Sequence, residues 1–127
     1  MKKIIYTKKA PEPIGPYNQA ILINNMLYTS GQIALNPENM ELVLNDIETE
    51  TKQVMDNLKA VLEAAGMNFE DVIKSTIFIS NMNDFSKINS VYATYFDEKN
   101  APARETVQVA CLPKNVNIEI SMIAYKD

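Results

Sequence analysis

The chain has 127 residues, 46% hydrophobic and 22% charged, the balance of a soluble globular protein expected to form one domain over residues 1–127. It holds no histidine and one cysteine, which removes Ser-His-Asp and Cys-His catalysis, an intramolecular disulfide and a structural zinc site. A net charge of −4 with scattered lysines and arginines argues against a nucleic-acid face, and no apolar run is long enough for a membrane span or an export signal, so the expected location is the cytoplasm.

Any catalysis is therefore left to carboxylates, arginine, lysine, tyrosine, hydroxyls, backbone amides and water. In chain order, "IIYT" (4–7) predicts a short strand, and "APEPIGP" (10–16) a loop stiffened by three prolines. "NQAILI" (18–23) and "MLYTSGQIAL" (26–35) predict two strands around Asn24-Asn25, residues that tolerate the left-handed conformations of a two-residue hairpin turn. Gly31 interrupts the second of them, which points to a bulge or to close approach of another group.

Residues 46–65 carry Ile47, Thr51, Val54, Leu58, Val61, Leu62 and Ala65 at helical spacing, with Asn45 or Asp46 to cap the start and Gly66 the end. "DVIKSTIFIS" (71–80) predicts a strand. A second helix follows, capped by Asn83 or Asp84, with Phe85, Ile88, Tyr92, Tyr95 and Phe96 on its buried side. "PARETVQVACLPKNVNIEI" (102–120) reads as two buried strands joined by a tight turn at Leu112-Pro113. In it Val107, Val109 and Cys111 alternate with Thr106, Gln108 and Ala110. The order β-β-β-α-β-α-β-β predicts an α+β fold, a single mixed sheet with two helices on one face. Behind the apolar positions, Thr106, Gln108, Glu119 and Ser121 would make a semi-polar second face, suited to an interface between copies of the chain.

Two charges in the last strands stand out. Arg104 offers a rigid fork that matches a carboxylate with two parallel hydrogen bonds. Glu119, inside a strand, must be paired, hydrated or protonated. Together they fit a site that grips an anionic small molecule and manages a water or a proton. On residue types alone, the simpler alternative is that they form an ion pair with each other or across an interface.

Five stretches, "APEPIGPYNQA", "TSGQIALNP", "NLKAVLEAAG", "NDFSKINSVYATYF" and "PARETVQVACLPKNVNIEI", occur in the order found in the reactive intermediate deaminase (Rid) family, and the chain resembles its imine/enamine deaminase A-type subgroup over nearly its whole length. The resemblance implies a chorismate-mutase-like subunit and a homotrimer with clefts between subunits. It implies hydrolysis of 2-imino acids such as 2-iminobutanoate and 2-iminopropanoate, with their enamine tautomers, to 2-oxo acids and ammonia, without metal or organic cofactor. These intermediates escape from pyridoxal-phosphate enzymes, which the activity would protect.

Carried over residue by residue, the resemblance implies that Arg104 holds the substrate carboxylate. Glu119 would orient the attacking water and pass a proton to the departing nitrogen, and Tyr17 in "IGPY" would help place that water. Ser30 and Gly31 would form a pocket edge, Asn89 would lie near the cleft, and Thr106 would touch substrate through its backbone. Thr106 stands where many relatives have cysteine, and Ser121 where some have a second glutamate. Three other functions are alternatives: a protein whose same cleft binds or senses a small carboxylate such as a 2-oxo acid without turnover, a ribonuclease or translation inhibitor, against which the acidic balance and absent histidines weigh, and chorismate mutase itself, on fold analogy alone.

Overall fold

A computed structural model describes residues 1–127. Six strands, β1 (Lys3–Ile5), β2 (Ala20–Ile23), β3 (Met26–Thr29), β4 (Val72–Ile79), β5 (Ala103–Gln108) and β6 (Ile118–Tyr125), form one mixed sheet in the order β1-β2-β3-β6-β4-β5. Helices α1 (Ile47–Ala64) and α2 (Phe85–Ala93) complete the α+β fold. Every strand pair is antiparallel except β4 with β5. No helix is long and apolar enough to cross a membrane.

Local chemistry accounts for the elements that form as expected. Asn24 and Asn25 both take positive φ, 48° and 68°, which gives the right-handed hairpin twist between β2 and β3. Asp46 accepts a hydrogen bond from the Thr49 N–H at 2.7 Å and so caps α1. At its other end Gly66 takes φ +74°, and the N–H groups of Gly66 and Met67 donate to the carbonyls of Glu63 and Leu62. That double closure ends the helix and leaves its last carbonyls paired. Val54, Met55, Leu58, Val61 and Leu62 of α1 are buried against Ile77 and Ile79 of β4 and Ile118, Ile120 and Met122 of β6.

The last third of the chain departs from expectation. β5 and β6 are not a hairpin, because β4 lies between them and β5 runs parallel to β4. The nine residues from Val109 to Asn117 are a crossing rather than a tight turn. The Val109 N–H donates to the Ile79 carbonyl and the Ser80 N–H to the Asn117 carbonyl, and Lys114 and Asn115 both sit at φ 56°.

The faces of β5 are also reversed. Phe78 is registered with both Glu119 and Val107, which puts those three on the face away from the helices. Arg104 is registered with buried Ser75, and Thr106 with buried Ile77, so both project toward the helical side. Val107 is 43% exposed, and Cys111 lies outside the strand and is exposed rather than buried.

Two smaller differences have local causes. The strand expected over 26–35 ends at Thr29, and the chain rejoins the sheet only through a bridge between Gln32 and Ile120. Neither Asn83 nor Asp84 caps α2 through its side chain; instead Asn81 caps the short 3-10 turn Met82–Asp84, which leads directly into the helix. Tyr95 and Phe96 lie beyond α2, packed edge-on against Phe69.

Candidate functional site

The seven candidate residues fall into two groups on opposite faces of the sheet. Arg104, Asn89 and Thr106 form the first. Arg104 Nη1 donates to Asn89 Oδ1 at 2.6 Å, and its guanidinium carbon lies 5.1 Å from the Tyr92 ring centroid and 5.6 Å from that of Phe85. Phe85, Asn89 and Tyr92 are spaced three and four apart, so one stripe of α2 supplies both aromatic rings and the amide that holds the arginine. Apolar periodicity marks Phe85 and Tyr92 only as core; their spacing around Asn89 is the signal that makes them partners of Arg104.

Tyr92 itself is fixed from below, its hydroxyl donating to Ser75 Oγ at 2.9 Å. Burial pushes that hydroxyl's pKa up, while the Ser75 bond and the Arg104 charge pull the other way. Arg104, Asn89, Tyr92, Phe96 and Pro102 line an open cleft of about 720 Å³. Thr106 follows on the same face of β5, its Oγ1 buried without a partner. Because β5 is the edge of the sheet, backbone groups on its outer side are unpaired within the chain, as a backbone contact to substrate requires.

Tyr17, Ser30, Gly31 and Glu119 form the second group, in a cleft of about 530 Å³ that Gln32 and Lys114 also line. The loop ahead of β2 is built on a buried amide. Gln19 Nε2 donates to the carbonyls of Thr7 and Pro11 at 2.9 Å, and its Oε1 accepts from the Thr7 N–H at 2.8 Å. Ser30 Oγ donates to the Asn18 carbonyl at 2.5 Å, tying the end of β3 to the same loop. Tyr17 is half exposed, and its hydroxyl accepts from the Ile14 N–H at 3.4 Å.

Gly31 has a specific reason to be glycine. A Cβ there would lie 2.8 Å from Glu119 Cδ, so the carboxylate occupies the space that any side chain would need. Glu119 is half-buried, and desolvation raises its pKa above the ordinary carboxylate value. It is thereby moved toward the range in which a carboxyl can exchange protons near neutrality.

Arg104 and Glu119 do not pair within the chain. β4 separates their strands and their registers differ by three residues, so their Cα atoms are about 14 Å apart at ordinary strand spacing, with side chains on opposite faces. The single chain thus keeps two clefts apart, one lined by the Arg104 guanidinium and one by the Glu119 carboxylate with its raised pKa. No group of three or more His, Cys, Asp or Glu residues could hold a metal ion.

Known proteins share this sequence pattern and fold. The family model described as Endoribonuclease L-PSP matches residues 7–126. A RutC family protein of Pyrococcus horikoshii is 54% identical over 127 residues, the whole of both chains. The 2-iminobutanoate/2-iminopropanoate deaminase of Escherichia coli K12 is 47% identical over 128 residues, covering 99% of each. The crystal structure of E. coli TdcF with bound serine superposes with a TM-score of 0.92 at 45% identity, covering 98% of this chain and 99% of that one.

Proposed function

This chain belongs to the Endoribonuclease L-PSP family, which includes the Rid proteins, and on that premise we propose that it hydrolyses small 2-imino acids to 2-oxo acids and ammonia. The substrates are 2-iminobutanoate, 2-iminopropanoate and their enamine tautomers, and the working form is a homotrimer. Because the two half-sites of one chain face apart, a substrate that needs both must bind between chains, with Arg104 from one and Glu119 from its neighbour. The observation that carries the reading is Glu119, half-buried against Gly31 with its pKa raised, in a cleft that Tyr17 also lines. The serine bound in the TdcF structure supports a cleft sized for a small α-carboxylate.

Arg104 receives the substrate carboxylate. One guanidinium nitrogen is engaged by Asn89, and the remaining donors are free to form a two-bond fork. Water held by Glu119 and the Tyr17 hydroxyl adds to the imine carbon, and one of its protons passes through Glu119 to the nitrogen. The resulting carbinolamine gives up its hydroxyl proton by the same route as the C–N bond breaks, leaving the 2-oxo acid and ammonia. Imines already hydrolyse in water, so orientation and one general acid–base group suffice, the latter worth ~10²–10⁴-fold. In the cytoplasm such an activity would intercept imines released by pyridoxal-phosphate enzymes.

The test generates the imine in place with an amino-acid oxidase or a threonine dehydratase and traps it with semicarbazide. Wild type is expected to suppress the adduct over many turnovers and Arg104→Ala to fail. If wild type does not suppress it yet binds 2-oxobutanoate, the protein is a carboxylate-binding module. RNA cleavage that survives Arg104→Ala and high salt would instead support the activity named in the family description.

A further inference from the structure

The most deeply buried ionisable side chain lies outside both clefts. Glu50, in the first turn of α1, is 0% exposed and has no lysine or arginine within ion-pair distance. Burying a carboxylate without a cation is costly unless its oxygens are otherwise satisfied. Here both are. Oε2 accepts from the Asn117 backbone N–H and Oε1 from Asn117 Nδ2, each at 2.8 Å. The N-terminal end of a helix also favours negative charge.

The contact spans 67 residues of sequence and ends two residues before Glu119. Asn117 is held from its other side as well, its carbonyl accepting from the Ser80 N–H at 3.0 Å and its Oδ1 from Ser80 Oγ at 3.2 Å. On the far side of Glu119, Ile120 exchanges two backbone hydrogen bonds with Gln32, at 2.8 and 3.1 Å. Glu119 therefore sits between two clamps, one made by Glu50 and Ser80 on Asn117, the other by the residue that follows Gly31. Its carboxylate must lie in the gap above Gly31, and a shift of its backbone would close that gap.

We propose that Glu50 is a positioning residue that acts through Asn117 to hold Glu119 at Gly31 in the geometry the reaction needs. This rests on the imine-hydrolysis reading of the Glu119 cleft. The role is geometric rather than electrostatic, so a neutral amide of the same shape can fill it. In Glu50→Gln the new side chain would accept from the Asn117 N–H and donate to a flipped Asn117 amide oxygen, and Ser80 Oγ would accept from the displaced amide nitrogen.

The experiment compares Glu50→Ala and Glu50→Gln with wild type in the semicarbazide assay, with rates corrected for the folded fraction measured by thermal melts. Glu50→Ala is expected to lower kcat about tenfold or more at unchanged KM, and Glu50→Gln to stay within about threefold of wild type. Equal loss in both variants would make the buried charge, not the anchor, responsible. An unchanged kcat per folded molecule in Glu50→Ala would make the contact purely structural. Either result overturns the proposal.

If Glu50→Ala does not fold, Asn117→Ala removes the other half of the anchor and carries the same expectation. Failure of wild type itself on every imine would overturn the functional reading and leave this one testable by ¹³C NMR titration of Glu119. Both substitutions at Glu50 remove the same charge. A Glu119 pKa that moves toward the ordinary value in Glu50→Ala but not in Glu50→Gln would support the anchor, and identical values would refute it.

Discussion

The two clefts solve opposite problems with opposite materials. Around Arg104 the chain uses an exposed side chain laid on two aromatic rings and tied by one amide, so the cation stays open to solvent. Around Glu119 it uses backbone: a glycine with no Cβ, a bridge at Ile120 and a loop pinned by Gln19, which hold a carboxylate partly out of water. A group that binds charge works best when permanently ionised and accessible. A group that moves a proton needs a shifted pKa and a fixed position, and here burial against rigid backbone supplies both.

Substitutions should separate the clefts accordingly. Arg104→Ala removes two charge-assisted bonds worth roughly 1.5–3 kcal/mol each, and kcat/KM should fall on the order of 10³-fold, mostly through KM. Arg104→Lys should recover only part of it, because a point charge cannot reproduce the fork. Steady-state kinetics on the trapped imine reads both. Glu119→Gln keeps the shape of the second cleft and removes its proton exchange, so kcat should fall about 10²-fold while KM changes little. A loss confined to KM would put Glu119 in binding and erase the distinction between the clefts.

Gly31→Ala sharpens the comparison, because it places a Cβ 2.8 Å from Glu119 Cδ, too close for both to stay where they are. The end of a flexible side chain can move, so the melting temperature should change little while kcat falls between tenfold and a hundredfold. Asn89→Ala unties Arg104 but leaves its aromatic support, and KM should rise about threefold to tenfold.

The smallest effect is on stability. Glu119 has a folded-state pKa raised by burial, so between the unfolded and folded values the native state binds more protons. Stability contributed by this group is present in acid and is lost as pH rises through that window. Glu119→Gln should therefore melt above wild type at neutral pH, with the gap closing in acid. Thermal melts across that range test the sign.

How much of this was legible in the sequence depended on the range of each interaction. The Asn24-Asn25 turn and the Asp46 cap depend on neighbours one to three residues away, and residue type alone indicates them. α1 follows from the spacing of its apolar residues. Arg104 and Glu119 stood out because charge in a strand is expensive, and Gly31 because it interrupts one.

Pairing of β5 with β4 rather than β6 was not legible, since alternation says that a segment is a strand and nothing about its neighbour. The same gap reversed the faces, because a shift of one residue in the expected register moves Val107 outward and Thr106 inward. Glu50 was illegible for another reason. An acid in the first turn of a helix ordinarily faces solvent, and its burial follows only from Asn117, 67 residues away.

The place of β6 in the sheet carries a consequence for how the molecule is made. β6 lies between β3 and β4, and its Ile118, Ile120, Met122 and Ala124 are almost wholly buried. It is also the last of the six strands in chain order, made after the other five. Without it the sheet would fall into two pieces, β1-β2-β3 and β4-β5, with an apolar seam between them. The core and the strand bearing Glu119 are completed together, so a chain interrupted before residue 118 has neither a closed interior nor Glu119.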